Sequence, residues 1–293
     1  MKRIDVIRKK IDKKDYVRRT AHLSDVSKHI KQDAIIYCED KPILVYKKLK
    51  TPTTKVRGAV QKIKYATGKR VHGLKSQSAV FGYKPRQENR ADYCSATAMA
   101  KNSPNEHYII SQFAKEIQKD YQKYFPETFE HHTATVKEKI KKEWVIKDSV
   151  FTSGIVNKNN QLNYHFDSGN FKGVYSNMIV FKGDVKGGHL VIPEIDISIE
   201  VADNTVSIFD GQDLLHGVSP ITYLHKDSYR YSVVYYSLQR MWQCMEVEEE
   251  IDRIRKVKMQ REIKRNDPKH LEELKQRRKE ARHYKNTIEN EQK

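Results

Sequence analysis

Between Asn163 and Ser237 the chain returns again and again to short apolar runs broken by glycine, aspartate and asparagine. The runs at 174–181, 187–194, 197–202, 205–210 and 230–238 are rich in valine, isoleucine, phenylalanine and tyrosine. Gly183, Gly187, Gly188, Asp203, Asn204 and Gly211 punctuate them. β-Branched and aromatic runs of this length, bounded by turn formers, read as strands. Many short strands joined by turns predict a double-stranded β-helix, that is, a jelly-roll or cupin-like core. Helices predicted upstream would cover one sheet, which makes the fold class α+β.

This stretch also carries the residues capable of chemistry. His165 and Asp167 stand two apart in an extended segment, and residues i and i+2 of a strand point to one face. His216 follows after several more strands, flanked by apolar residues and glycine in LLHGV. Two imidazoles and one carboxylate are the donor set of the facial triad that binds iron(II). Arg230 and Ser232 again lie two apart on one strand. A guanidinium presents a planar fork that matches a carboxylate, and a serine hydroxyl adds a further donor. A second His-x-Asp match, His225 to Asp227, lies in a polar turn. Only His270 and His283, both in the charged tail, follow it, so it has no partner set.

Charge divides the 293 residues unevenly. Residues 1–75 hold 22 basic and 7 acidic side chains; 76–245 hold 19 of each; 246–293 hold 15 and 12. The net charge of +18 is thus concentrated in the N-terminal quarter. A patch of that sign suits a polyanion, most often nucleic acid, although a solvated lysine-rich surface has the same composition. Cys38, Cys94 and Cys244 form neither a CxxC pair nor a disulfide framework, which points to a reducing, intracellular setting. The N-terminus lacks an apolar signal core, and no apolar run is long enough to span a membrane.

In chain order, AIIYCE and PILVYKKL predict two strands around the turn EDKP. Residues 50–90 read either as a backbone-tracking loop with Tyr65, Phe81 and Tyr83 as stacking rings or as a long flexible linker. Apolar positions 109, 110, 113, 117, 121 and 124 have helical spacing, and Pro126 ends that helix. A second helix follows, on which His131 and His132 are expected at the surface. Residues 148–167 predict a hairpin with NKNNQ as its turn. Beyond Trp242 lies a charged helical tail, with Asp267 as N-cap and Pro268 at the first helical position of its second helix. The expected organisation is a basic region at 1–79, a catalytic domain at 80–245 and a tail at 246–293. Within the domain, helices occupy 105–143 and the jelly roll 144–242.

The order His-x-Asp, distal His, Arg-x-Ser resembles the 2-oxoglutarate and iron(II)-dependent dioxygenase superfamily. HFDSGN has the form HxDxxN. That form is similar to the branch of TET and J-binding proteins, which oxidises the methyl group of 5-methylcytosine or thymine in DNA. The segment FGYKPRQENRADYCSATA, with the helices after it, resembles the upstream region of small microbial and viral members. The resemblance implies that His165, Asp167 and His216 bind Fe(II), and that Arg230 and Ser232 hold the distal carboxylate of 2-oxoglutarate. It further implies that O2 is consumed and that Asn170 meets the target base. Arg86 and Arg90 are candidates for substrate contact, and the basic residues 1–75 for a grip on DNA. A eukaryotic source would place such an enzyme in the nucleus. Alternative expectations are a dioxygenase acting on RNA, a protein side chain or a small molecule, and a non-enzymatic cupin-like nucleic-acid-binding module.

Overall fold

A computed structural model describes residues 1–69, 74–87 and 91–291. The chain divides into two compact units, Met1–Pro85 with Ser95–Cys244, and Arg86–Cys94 with Met245–Lys293.

Among the described residues the first unit holds two large sheets and a two-stranded one, Val185–Gly187 with Ile221–Tyr223. The larger of the first two has ten strands. Its order runs Lys2–Val6, Ala34–Cys38, Lys41–Lys48, Thr205–Phe209, Ser176–Gly183, Tyr229–Tyr236, Ser153–Lys158, Lys75–Lys84 and Ala66–Lys69, with Ser95–Ala96 paired off Lys75–Lys84. The smaller has five, in the order Lys28–Ile30, Ile197–Ile199, Leu190–Ile192, His216–Val218 and Leu162–His165. Residues 1–79 therefore supply strands to both sheets and belong to the same unit as the site residues.

Period-2 alternation assigns each side chain its layer. In Ser176–Gly183, Ile179 and Phe181 join Ile110, Ile117, Tyr121 and Phe151 under the helices. Val180 instead joins Leu190, Ile192 and Ile197 between the sheets. Each such fully buried side chain stabilises the fold by about 1.5–3 kcal/mol. In Tyr229–Tyr236 the same alternation sends Val233 and Tyr235 to the helical side. Arg230, Ser232, Val234 and Tyr236 go to a cavity between the sheets. The helices are Pro104–Gln112, Ala114–Tyr124 and Pro126–Lys139. Pro104 and Pro126 open theirs at N1, where the missing N–H costs nothing.

Several expectations are corrected. Ser153–Lys158 and Leu162–His165 form no hairpin. The first pairs with Tyr229–Tyr236 and Lys75–Lys84 in the large sheet, the second with His216–Val218 in the small one. Asn159, at φ +55°, diverts the chain. Its N–H donates to Arg230 O and its Oδ1 accepts from Arg230 N, both at 2.7 Å. That ring stands where a hairpin ladder would have continued. Phe81 is a core residue, fully buried, and no stacking platform. His132 is likewise fully buried, with Nε2 2.9 Å from Ser237 Oγ. Burial, then neighbouring His131, pushes its pKa down to about 3. Cys38 is a free cysteine.

In the second unit, helix Val247–Asn266 is followed by Pro268–Glu291, with Asp267 Oδ1 accepting from Lys269 N at 3.0 Å. The buried Glu250 carboxylate accepts from Arg86, Cys94 N and Met245 N. No helix among the described residues is long and apolar enough to cross a membrane.

Candidate metal centre and co-substrate cavity

His165 ends one strand of the small sheet and His216 begins the next, and the two are direct antiparallel partners. Their ring centroids lie 4.4 Å apart. His165 Nδ1 is 2.8 Å from Asn163 O, and His216 Nδ1 is 2.9 Å from Leu214 O. A carbonyl only accepts, so each Nδ1 carries the proton and each Nε2 is the unprotonated nitrogen, the tautomer of metal-ligating histidines. The two Nε2 atoms stand 3.7 and 3.9 Å from Asp167 Oδ1. Those separations are too long for hydrogen bonds and suit donors that share one ion. The three ligand atoms lie within 4.8 Å of one another, and the set matches the facial triad of iron(II) sites.

Asp167 is placed by the loop after the strand. Its N–H donates to Gly211 O at 2.8 Å. A Cβ on Gly211 would sit 2.9 Å from Asp167 Cγ and 3.2 Å from His216 Cε1. Gly211 is therefore required for close approach of ligand-bearing backbones, a role hidden when it is read as turn punctuation. The neighbouring Asp210 accepts from the N–H groups of Gln212 and Asp213, and burial raises its pKa. Gln212 Nε2 in turn donates to Phe171 O at 2.6 Å, tying this loop to the one after Asp167.

Arg230 and Ser232 face the same cavity as the triad, a space of about 290 Å³. Arg230 is only 2% exposed, and its Nε and Nη2 have no hydrogen-bond partner among the described residues. Burial lowers its pKa to about 10. A buried, unpaired guanidinium is costly, so the arrangement calls for an anionic ligand. Gly188, at φ +68°, makes room for it: a Cβ there would meet Arg230 Cδ and Nε at 2.8 Å. Ser232 Oγ accepts from Asn157 Nδ2 at 3.4 Å.

The remaining predicted residues are distributed as follows. Asn170 lines the cavity and donates from Nδ2 to Ser176 Oγ at 3.2 Å. Arg86 lies in the second unit, its Nη2 2.5 Å from Glu250 Oε1. Arg90 lies outside the described residues. Tyr236 also lines the cavity, and burial followed by the charge of Asp167 raises its pKa. Its position two alternations beyond Ser232 is the signal that could have found it. Part of the N-terminal positive charge is neutralised internally: Arg8 meets Glu194 and Asp213, Lys9 meets Asp196 and Arg19 meets Asp25.

Residues 79–239 match the family model Tet_JBP, described as the oxygenase domain of the 2OGFeDO superfamily. The fold is similar to that of NgTET1 in complex with 5mC DNA, with a TM-score of 0.55 and 14% identity. The match covers 78% of this chain and 86% of that one. An oxidoreductase of the 2OG-Fe(II) oxygenase family from Burkholderia pseudomallei superimposes with a TM-score of 0.44 and 11% identity, covering 67% and 88%. No curated protein sequence matches the chain.

Proposed function

Because the chain belongs to the Tet_JBP family of oxygenase domains, and so is a 2-oxoglutarate- and iron(II)-dependent dioxygenase, we propose that it hydroxylates the 5-methyl group of a pyrimidine in DNA. We read its paired sheets as the double-stranded β-helix of that superfamily. One observation carries the site assignment. Two imidazoles and one carboxylate converge in a cavity that also holds a buried guanidinium, whose Nε and Nη2 have no hydrogen-bond partner among the described residues. The donor set fits Fe(II), and the orphaned Arg230 donors fit a carboxylate. Iron(II) bound there would supply the chemistry by which O2 and 2-oxoglutarate give succinate, CO2 and one oxygen atom for a C–H bond.

The chain's own residues do the rest. His165 Nε2, His216 Nε2 and Asp167 would hold the ion. Arg230 and Ser232 bind the distal carboxylate of 2-oxoglutarate and so orient its 2-oxo end towards the triad. Asn170, which lines the same cavity, would meet the target base. A methyl group inside a duplex could reach the triad only after its nucleotide had left the stack. Basic residues of the N-terminal quarter that lack an internal carboxylate would hold the phosphates meanwhile. The NgTET1 complex with 5mC DNA favours DNA over RNA, protein or small-molecule substrates. Family membership removes the purely binding, non-enzymatic alternative.

The test is incubation of the full chain with Fe(II), 2-oxoglutarate and DNA containing 5-methylcytosine or thymine, followed by mass spectrometry of the nucleosides. The expected products are a 5-hydroxymethyl pyrimidine and stoichiometric succinate, both absent with Asp167→Ala. Succinate formation with RNA as the only polymer modified would overturn the DNA assignment.

A further inference from the structure

We infer that Asn157 is a positioning residue for the co-substrate: its carboxamide forces the Ser232 hydroxyl to act as a donor, which makes the far end of the cavity selective for a carboxylate. The inference rests on the reading of Arg230 and Ser232 as the seat of that carboxylate.

The argument starts at a group whose polarity is fixed. The backbone N–H of Gln77 can only donate, and it donates to Asn160 Oδ1 at 2.8 Å. The other end of that carboxamide must then be Nδ2, and it donates to Asn157 Oδ1 at 3.0 Å. Asn157 is thereby oriented in turn, with Nδ2 towards Ser232 Oγ at 3.4 Å. Reversing either amide would set donor against donor or acceptor against acceptor. Asn157, Asn160 and Ser232 are exposed by only 5%, 2% and 5%, so bulk water does not compete. Such aligned chains polarise one another in a low-dielectric interior.

The consequence falls on Ser232. With its oxygen accepting from Asn157, its one proton is left for the cavity. The neighbouring Arg230 offers Nε–H and Nη2–H, both without partners among the described residues. Ser232 and Arg230 share a strand face, and both line the cavity with Asn157. Three donors then converge. A carboxylate satisfies all three, whereas a carboxamide or alcohol brings a hydrogen of its own and leaves a buried donor unpaired.

The experiment titrates the anaerobic, Fe(II)-loaded full chain by calorimetry with 2-oxoglutarate and with 2-oxobutyrate, which has the same 2-oxo acid end but no distal carboxylate. The wild type should bind 2-oxoglutarate more tightly. Asn157→Ala should weaken 2-oxoglutarate about fivefold to tenfold, the worth of one freed hydrogen bond, and leave 2-oxobutyrate within about twofold. Asn157→Asp presents only acceptors to Ser232 and should weaken 2-oxoglutarate by about 100-fold, since hydrogen bonds to charged groups are stronger. Because Asn157 acts through Ser232, adding Asn157→Ala to Ser232→Ala should cost nothing further.

Equal losses for both ligands, or full additivity with Ser232→Ala, would reduce Asn157 to a structural residue. Should Asn157→Ala not fold, Asn160→Asp serves in its place. It keeps the acceptor for Gln77 but turns Asn157 around, so it should weaken 2-oxoglutarate selectively; unchanged discrimination would overturn the inference. A wild type that does not distinguish the two ligands fails differently, because the assignment of Arg230 and Ser232 would then be wrong.

Discussion

Replacing Gly211 by alanine should separate metal affinity from folding stability. The backbone at Gly211 does not require positive φ, so alanine is compatible with its conformation. Loss of chain freedom in the unfolded state would by itself favour the folded protein by about 0.4–1 kcal/mol. The added methyl, however, would stand 2.9 Å from Asp167 Cγ and 3.2 Å from His216 Cε1. Asp167 is about one-third exposed and can swing towards solvent, whereas His216 is buried. The carboxylate is therefore the group that yields, and the triad becomes two imidazoles. Removing an outer-shell partner already costs metal sites up to about 100-fold, or ~2.8 kcal/mol. Displacing a direct ligand should cost at least that. The assay pairs an Fe(II) dissociation constant, measured anaerobically, with the melting temperature of the metal-free protein. The expected result is iron affinity lower by about 100-fold or more with an apo melting temperature changed little. Iron binding within about threefold of wild type, in a variant that still folds, would refute the placement of Asp167 as a ligand.

Gly188→Ala should act on the co-substrate instead. Its positive φ and the contact with Arg230 Nε predict destabilisation of about 1–2 kcal/mol from backbone strain. The same change should weaken 2-oxoglutarate about 10- to 100-fold through one charged hydrogen bond, with iron affinity retained. His132 predicts an acid limb of stability. Its folded pKa of about 3 lies below the ordinary 6.5, so the unfolded chain binds the extra proton. The stabilisation is complete above about pH 6.5 and fades as pH falls towards 3, by up to ~1.4 kcal/mol per unit. Between pH 7.5 and 5.0 the wild type should lose about 2 kcal/mol more than His132→Gln in denaturant unfolding; parallel pH profiles would contradict the assignment.

What could be read from sequence follows a physical division. The Arg-x-Ser pair was legible because strand period puts both side chains on one face; Asp167 lies just past the strand that ends at His165, held by its N–H to Gly211 O, and the structure brings His216 opposite His165. Strand positions were legible for the same reason. The supposed hairpin was not, because turn chemistry at NKNNQ says nothing about which sheet receives the next strand. His132 could have been caught: with Phe125, Phe129 and Val136 it falls on one helical face, and the adjacent His131 drew the reading towards the surface. Gly188 and Gly211 matter through contacts from distant segments, which no local pattern encodes. Asn157 was invisible because its role depends on a chain of amides anchored at Gln77, 80 positions away in sequence.

The placement of residues 1–79 changes how nucleic-acid binding should be probed. Truncation to the catalytic segment would strip four strands, and half of a fifth, from the large sheet and one from the small. Thr205–Phe209, now interior, would be left with a bare hydrogen-bonding flank, an invitation to edge-to-edge aggregation. Loss of DNA retention after such a deletion would report collapse of the scaffold as readily as loss of basic charge. Charge reversal at single exposed lysines, which leaves every strand in place, is the perturbation that isolates electrostatics.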